Sequence, residues 1–452
     1  MNIIIAGSGK VGTTLALRLS AEGYDITLID NSQRVLESVC EQCDAMGVQG
    51  NCASMPVLQQ AGIADADLLI AVTHDDEVNL LCCTTAHGMN PNIHTIARIR
   101  NPEYTQQIHE LRHVFALSLA VNPENQAARE IERLLRFPGF LRRDTFAKGR
   151  TAIVELRVDE DSMLKGVSLI QLNGIVKCKV LVCAVLRDGN ALIPGGHFTL
   201  QEGDRIFVTA PTDNLSILLK NLGIVTRKVR NVLICGGGRV SRYLAERLTR
   251  SGISVSLIER NYERCLQLAE ALPNAAIIHG DATDRNLLES QGLADTDALV
   301  TMTGLDELNM IISLYGSSIG VPQVITKLGR AENRSITDTL TLGSIICPRE
   351  LCCDDIIRYV RAMEKQSGSA ISVHSIADGQ VEAIEFHVDE DTQHCGEPLK
   401  SIQLRSDVLL ASITRGSNTQ IPGGDSTFNK GDAIVVVTSG RGKLRQLNDI
   451  FA

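Results

Sequence analysis

Two glycine clusters in this chain have the types and spacing to hold a phosphate: Gly7-Ser8-Gly9-Lys10-Val11-Gly12 and Gly236-Gly237-Gly238-Arg239-Val240-Ser241. The first lies between an apolar stretch at residues 2–6 and a run at 12–21 with leucines at helical spacing. Glycines there let the backbone approach a pyrophosphate, and the start of the helix offers it unpaired N–H groups. About 20 residues on, Asp30 ends the next strand, the place of a carboxylate that accepts a ribose 2′-hydroxyl. The second half repeats it as Glu259. Either carboxylate would repel a 2′-phosphate in a partly desolvated cleft, which disfavours NADP.

A cation follows each second glycine, Lys10 in one cluster and Arg239 in the other, and Arg98 and Lys327 close matching strands further along. Two cations per site suit a di- or triphosphate, so ATP and ADP join NAD(H) as candidate ligands. Ser241 replaces the third glycine of the second cluster. That helix is expected to pack further from its strand, and its site is less secure.

Hydride-transfer catalysis would need a general acid or base beside the nicotinamide. The best-placed residue is His74, followed by Asp75 and Asp76, but its counterpart in the second half is Gly304. A histidine lining the adenosine or ribose fits that loss better than a proton-transfer group. No Ser/His/Asp spacing, His-rich metal motif or Walker lysine is present. Cys40 and Cys43 form one Cys-x-x-Cys without a second pair; it reads as packing within a helix rather than as a metal or redox site. A soluble NAD-dependent oxidoreductase using His74 stays open as an alternative, and a nucleotide-binding scaffold for a non-channel partner is a third reading.

The elements that must position these residues come twice. Leu28-Ile29-Asp30 returns as Leu257-Ile258-Glu259, Gly50-Asn51-Cys52-Ala53 as Gly280-Asp281-Ala282-Thr283, and residues 73–79 as 303–309. Further on, Ile193-Pro194-Gly195-Gly196 with Gly203-Asp204 returns as Ile421-Pro422-Gly423-Gly424 with Gly431-Asp432. The order is therefore large, small, large, small, with modules at 1–138, 139–226, 227–368 and 369–452. A basic linker of Arg227, Lys228 and Arg230 opens the second half. In the large module, strands at 2–6, 24–29, 67–72 and 94–99 alternate with helical stretches, which argues an α/β fold with a parallel, doubly wound sheet and a binding crevice at the strands' C-terminal ends. The small module, with strands at 151–158, 180–185 and 205–209 and a helical segment at 213–221, is α+β.

The chain has 452 residues, 44% apolar and 21% charged, with a formal charge of −9. That charge and the lack of a dense Lys/Arg run argue against nucleic acid and against adhesion to anionic lipid. No apolar stretch reaches the roughly 18 residues of a spanning helix. The start shows no basic region ahead of a long apolar one. Thirteen cysteines suit a reducing compartment, so the expected location is the cytosol.

The glycine cluster with Asp30, the Gly280-Asp281-Ala282-Thr283 segment, residues 303–309 and the two Ile-Pro-Gly-Gly blocks resemble the TrkA family over nearly the whole chain. The resemblance implies two tandem RCK units, each a Rossmann-like subdomain followed by a small C-terminal one. It implies a regulatory subunit without enzymatic activity, assembled as a tetrameric ring at the inner face of the membrane. An integral Trk-type potassium-translocating protein would hold it there, without direct insertion. By position, Gly7, Ser8, Gly9, Lys10 and Val11 would hold the pyrophosphate, Asp30 the ribose, and Asn51, Cys52, Thr73, His74 and Arg98 the adenosine and phosphates. The second site would use Gly236, Gly237, Gly238, Arg239, Val240, Glu259, Asp281, Ala282, Thr303, Gly304 and Lys327. The small modules, with Pro194 and Pro422, resemble dimerisation or secondary effector sites. Asn51-Cys52 departs from the family's frequent Asp-Ala, and Ser241 from its glycine; both bear on ligand preference rather than fold.

Overall fold

The computed structural model describes residues 1–136, 140–223, 228–329, 340, 342–363, 370–439, 444 and 446–452. The expected module boundaries after residues 138, 226 and 368, and Arg227 of the linker, lie outside the described residues. The chain divides into two compact units: residues 1–127 with 347–359, and residues 128–346 with 360–452.

In the first unit, β1 (Asn2–Ala6), β2 (Asp25–Asp30), β3 (Ala45–Gln49), β4 (Leu68–Ala71), β5 (His94–Arg98) and β6 (Leu119–Val121) form a parallel sheet in the order β3-β2-β1-β4-β5-β6. The connecting helices are α1 (Lys10–Ala21), α2 (Gln33–Cys40), α3 (Met55–Gln60), α4 (Asp76–Met89) and α5 (Pro102–Leu111), and α6 (Pro123–Arg136) follows β6 and runs into the second unit. Ile3, Ile4 and Ile5 are all buried, as a central strand covered on both faces requires. Each such side chain contributes about 1.5–3 kcal/mol of burial. Strand order reverses between β1 and β4, so the crevice opens where the loops after those two strands meet.

Cys43 departs from the expectation of a pair within a helix. Helix α2 stops at Cys40, and the amides of Gln42 and Cys43 both turn back to the Val39 carbonyl, tightening the last turn. The Cys43 Sγ lies 3.4 Å from that carbonyl oxygen. No group of three or more His, Cys, Asp or Glu could hold a metal ion among the described residues.

The second unit begins with an antiparallel sheet of β7 (Arg142–Phe146), β8 (Thr151–Arg157), β9 (Leu181–Arg187), β10 (Asn190–Leu192) and β11 (Arg205–Pro211), ordered β10-β9-β11-β8-β7, with α7 (Leu169–Val176) and α8 (Leu215–Asn221). A second parallel sheet follows: β12 (Asn231–Cys235), β13 (Ser254–Glu259), β14 (Ala276–His279), β15 (Ala298–Thr301), β16 (Gln323–Lys327) and β17 (Ser344–Ile346), in the order β14-β13-β12-β15-β16-β17. Its helices are α9 (Arg239–Arg250), α10 (Tyr262–Ala271), α11 (Arg285–Ser290) and α12 (Asp306–Ser318), followed by α13 (Pro348–Met363). The last sheet contains β18 (Ala370–Ile376), β19 (Val381–His387), β20 (Val408–Arg415), β21 (Asn418–Gln420) and β22 (Ala433–Thr438), ordered β18-β19-β22-β20-β21.

The repeated Gly-Asp of the small modules is a structural anchor. Asp204, 1% exposed, accepts from Arg187 Nε and Nη2 and from the Gln201 amide, each at 2.7 Å. Asp432 repeats this with Arg415 and the Asn429 amide. The two small sheets share one apolar core, in which Phe146, Ile153 and Phe207 pack with Ile376, Val381 and Val435.

Helices α6 and α13 are exchanged between the halves. Within the first unit, Asp354 of α13 pairs with Arg18 of α1 at 2.8 Å. Within the second, Glu132 of α6 pairs with Arg247 of α9 at 2.6 Å. Arg18 and Arg247 occupy equivalent places in the two copies, so each parallel sheet is flanked by the helix that follows the other. Among the described residues no helix is long and apolar enough to cross a membrane.

Candidate nucleotide sites

The first crevice is built on a turn after β1. Gly7 has φ +100°, and a Cβ there would stand 2.9 Å from the Thr73 backbone. Glycine thus serves both the left-handed conformation and the approach of the β4 loop. Gly12 lies in the first turn of α1, where a Cβ would be 1.9 Å from the Gly7 carbonyl oxygen. Asp30 spans the crevice edge: its Oδ2 accepts from the Ser8 amide at 2.7 Å and its Oδ1 from the Ser32 amide at 2.9 Å. Ser8 is 2% exposed, and among the described residues its Oγ has no hydrogen-bond partner. A glycine cradle with a buried, unpaired hydroxyl and a carboxylate at its rim suits a polar ligand.

On the other side, Arg98 Nη2 donates to the Thr73 carbonyl at 2.5 Å. Burial, then Arg100, holds Arg98 below the ordinary guanidinium value, while Glu124 acts in the opposite direction. His74 is exposed, and its Nδ1 lies 3.0 Å from Arg100 Nη2. Asn51 is exposed and its Oδ1 accepts from the Ala53 amide at 3.0 Å. Cys52 is buried beside Cys82, whose thiol that contact and burial keep well above its usual value. Lys10 is exposed at the first position of α1. Val11, 6% exposed, packs inward and leaves only backbone for a ligand.

The second crevice repeats the frame. Gly236 has φ +102°, and a Cβ there would meet the Met302 carbonyl oxygen at 2.7 Å. Glu259 Oε2 accepts from the Gly237 amide at 2.7 Å and Oε1 from the Asn261 amide at 2.8 Å. Lys327 Nζ donates to the Thr303 carbonyl at 2.9 Å, as Arg98 does to Thr73. Asp281 Oδ1 accepts from the Thr283 amide at 2.9 Å and hydroxyl at 2.8 Å, and these bonds hold its carboxyl below the usual aspartate range. Ala282 is buried like Cys52, Val240 like Val11, and Gly304 is exposed where His74 stands. Gly238 and Arg239 are exposed at the start of α9. Ser241 is fully buried, its Oγ 2.5 Å from the Gly236 carbonyl oxygen, so α9 accepts a side chain where α1 has no room.

The sequence pattern did not single out one pair of residues. Asn79 and Asn309 are fully buried. Asn79 Oδ1 accepts from the Thr73 amide at 2.9 Å and hydroxyl at 2.7 Å, while its Nδ2 donates to the Arg98 carbonyl at 2.9 Å. Asn309 makes the same three bonds to Thr303 and Lys327 at 2.7, 2.7 and 2.9 Å. Each amide ties the two strand ends that carry the far wall of the crevice. Asp76 and Asp306 support that wall too, accepting from the Arg100 and Gly329 amides, each at 2.8 Å. The signal was present in the repeated Thr-x-x-Asp-Glu-x-Asn of residues 73–79 and 303–309.

The TrkA-N domain model matches residues 3–120 and 232–348, and the TrkA-C domain model matches 153–223 and 383–452. The Trk system potassium uptake protein TrkA of Haemophilus influenzae is 30% identical, with 100% of this chain and 98% of that protein covered. A TrkA homolog of Archaeoglobus fulgidus is 31% identical, with 100% of each covered. Among solved structures, the GsuK RCK domain superposes with a TM-score of 0.62 at 16% identity, covering 98% of this chain and 93% of that one. A GsuK channel bound to NAD gives 0.61 at 16% identity, with 98% and 77% covered.

Proposed function

The chain belongs to the TrkA family of Trk-system potassium uptake proteins, and from that premise we propose that it is the nucleotide-sensing regulatory subunit of such a system. The observation that carries the reading is the duplicated clamp, in which Asp30 and Glu259 each hold a glycine-loop amide and the amide that leads into the next helix. A ribose hydroxyl brought to either carboxylate would compete for the oxygens that now fasten the loop. Ligand binding and loop position are thereby coupled through one side chain.

NAD(H) is the proposed ligand, with ATP or ADP as alternatives. Gly7, Ser8, Gly9 and Gly12 would approach its phosphates with Lys10, and Gly236, Gly237 and Gly238 would do so with Arg239. Thr73 and Arg98, and Thr303 and Lys327, would line the far wall; Asn51, Cys52 and His74, and Asp281, Ala282 and Gly304, the adenosine side. No catalytic role is assigned: His74 is engaged with Arg100, and its counterpart is a glycine.

We place the protein in the cytoplasm, attached to the inner face of the membrane through an integral potassium-translocating partner. A homo-oligomeric, tetrameric ring is the proposed assembly. Leu81 on α4 and Ile311 on α12 support it: they are equivalent positions, 56% and 61% exposed, and offer apolar contact to a further copy. Nucleotides that bind two ring states unequally shift their populations, and the ring passes that shift to the pore. A preference of about 100-fold supplies roughly 2.7 kcal/mol per site.

The test is reconstitution with a Trk-type membrane subunit in vesicles. Potassium flux should respond to NAD(H), ATP or ADP, and Asp30→Ala and Glu259→Ala should blunt the response. Flux indifferent to every nucleotide while the subunit stays bound would refute the reading.

A further inference from the structure

The two crevices share a frame but differ in charge. On α9 and α10 the second site carries Arg239, Arg242 and Arg264, where the first has Lys10, Thr13 and Val35. Arg264 reaches back to the glycine loop, its Nε donating to the Gly237 carbonyl at 2.9 Å. Among the described residues, Arg239 and Arg242 make no side-chain hydrogen bond or ion pair. Burial and then Arg242 hold Arg264 below the ordinary guanidinium value, with Arg239 adding to the effect and Glu259 opposing it. Arg264 thus sits on the glycine loop within electrostatic reach of Arg239 and Arg242, which lie in the first turn of α9. In the first site Arg98 is committed to the Thr73 carbonyl, and Arg100 to His74 and Asp76. Among the described residues, Lys10 at the first loop has no such commitment.

We propose that the second site is specific for a nucleoside polyphosphate, with Arg239, Arg242 and Arg264 gathering the terminal phosphates, and that the first takes the dinucleotide. The inference rests on the nucleotide-sensing reading and deepens it, making one chain a sensor of two different ligands. A dinucleotide buries its pyrophosphate between two nucleosides and leaves such a cluster largely unneutralised. A triphosphate brings more charge and free terminal oxygens, which guanidinium forks bind in pairs. Glu259 at the ribose position opposes the other way of using spare arginines, a 2′-phosphate.

The experiment uses the full chain with the first loop closed by Gly12→Val, and titrates ATP, ADP, NAD and NADP by calorimetry. ATP should bind at least about tenfold more tightly than NAD. Arg242→Thr with Arg264→Val, which installs the first site's residues, should bring ATP and NAD to near parity while NAD affinity moves less than about threefold. Should Gly12→Val fail to fold, photolabelling of the unaltered chain with 8-azido-ATP keeps the question open to test, and the label should fall in residues 229–346. Equal binding of ATP and NAD, NADP binding tighter than ATP, or label in residues 1–121 would overturn the proposal and leave the sensor reading standing. A folded Gly12→Val chain that binds no nucleotide would overturn the proposal, and an unaltered chain that binds none at either site would overturn the sensor reading as well.

Discussion

The two glycine loops share a backbone and differ in how the space beside it is used. At the first, Gly12 lets α1 close against the Gly7 carbonyl; at the second, Ser241 stands in that space and bonds to the Gly236 carbonyl. Around this the far walls match bond for bond through Asn79 and Asn309, whereas two cations of the second loop, Arg242 and Arg264, stand where the first has Thr13 and Val35. Backbone frame and rim side chains have thus diverged to different extents after duplication. The frame is held by buried hydrogen bonds, which are expensive to change; the rim consists of exposed side chains, which are not.

The largest asymmetry should appear at the third glycine position. Gly12→Val forces a side chain onto a carbonyl and is expected to abolish first-site binding, at a stability cost of about 3 kcal/mol. Ser241→Gly removes one hydrogen bond and should cost only about 1 kcal/mol. Thermal unfolding with nucleotide titration reads both, and comparable losses would break the comparison.

The frame itself predicts symmetry. Asn79→Ala and Asn309→Ala each strip partners from a part-buried threonine amide and a strand-end carbonyl, and should each cost about 2 kcal/mol. A cost at one site alone, measured by hydrogen exchange at Thr73 and Thr303, would mean that the two walls are not equivalent.

At the rim, His74→Gly copies the second site onto the first. Its effect on first-site affinity should stay within about 0.5 kcal/mol. A collapse of binding, or loss of an NADH-consuming activity, would revive the oxidoreductase alternative.

The smallest effect concerns protons. Thr283 keeps the Asp281 carboxyl below the usual aspartate range, so the turn is secure above that range and loosens as pH falls through the lowered value. Asn51 makes the matching bond to the Ala53 amide without titrating. Protection of the Thr283 amide should therefore fall at acid pH and that of Ala53 should not, and Asp281→Asn should flatten the former.

Much of this was legible locally. A glycine cluster after Asn2-Ile3-Ile4-Ile5-Ala6, a carboxylate at Asp30 and the return of both in the second half are short-range patterns with one common physical solution. The exchange of α6 and α13 was not legible, because the partners of Glu132 and Asp354 lie more than a hundred residues away and nothing local marks them. Asn79 read as one repeated polar residue among several; only burial shows that its amide joins two strands. Cys43 shows the limit at helix ends, where one tightened turn removed it from α2. The arginine cluster was half visible, since Arg239 follows its glycine directly while Arg264 reaches the loop only through the fold.

The central claim is that this chain has two nucleotide sites, each governed by its own carboxylate. Calorimetric titration of the full chain with NAD, NADH, ATP and ADP, beside Asp30→Ala and Glu259→Ala, tests it most directly. The account predicts two binding events, one lost in each variant; no binding, or binding that neither substitution weakens, would reduce the glycine loops to scaffold and contradict it.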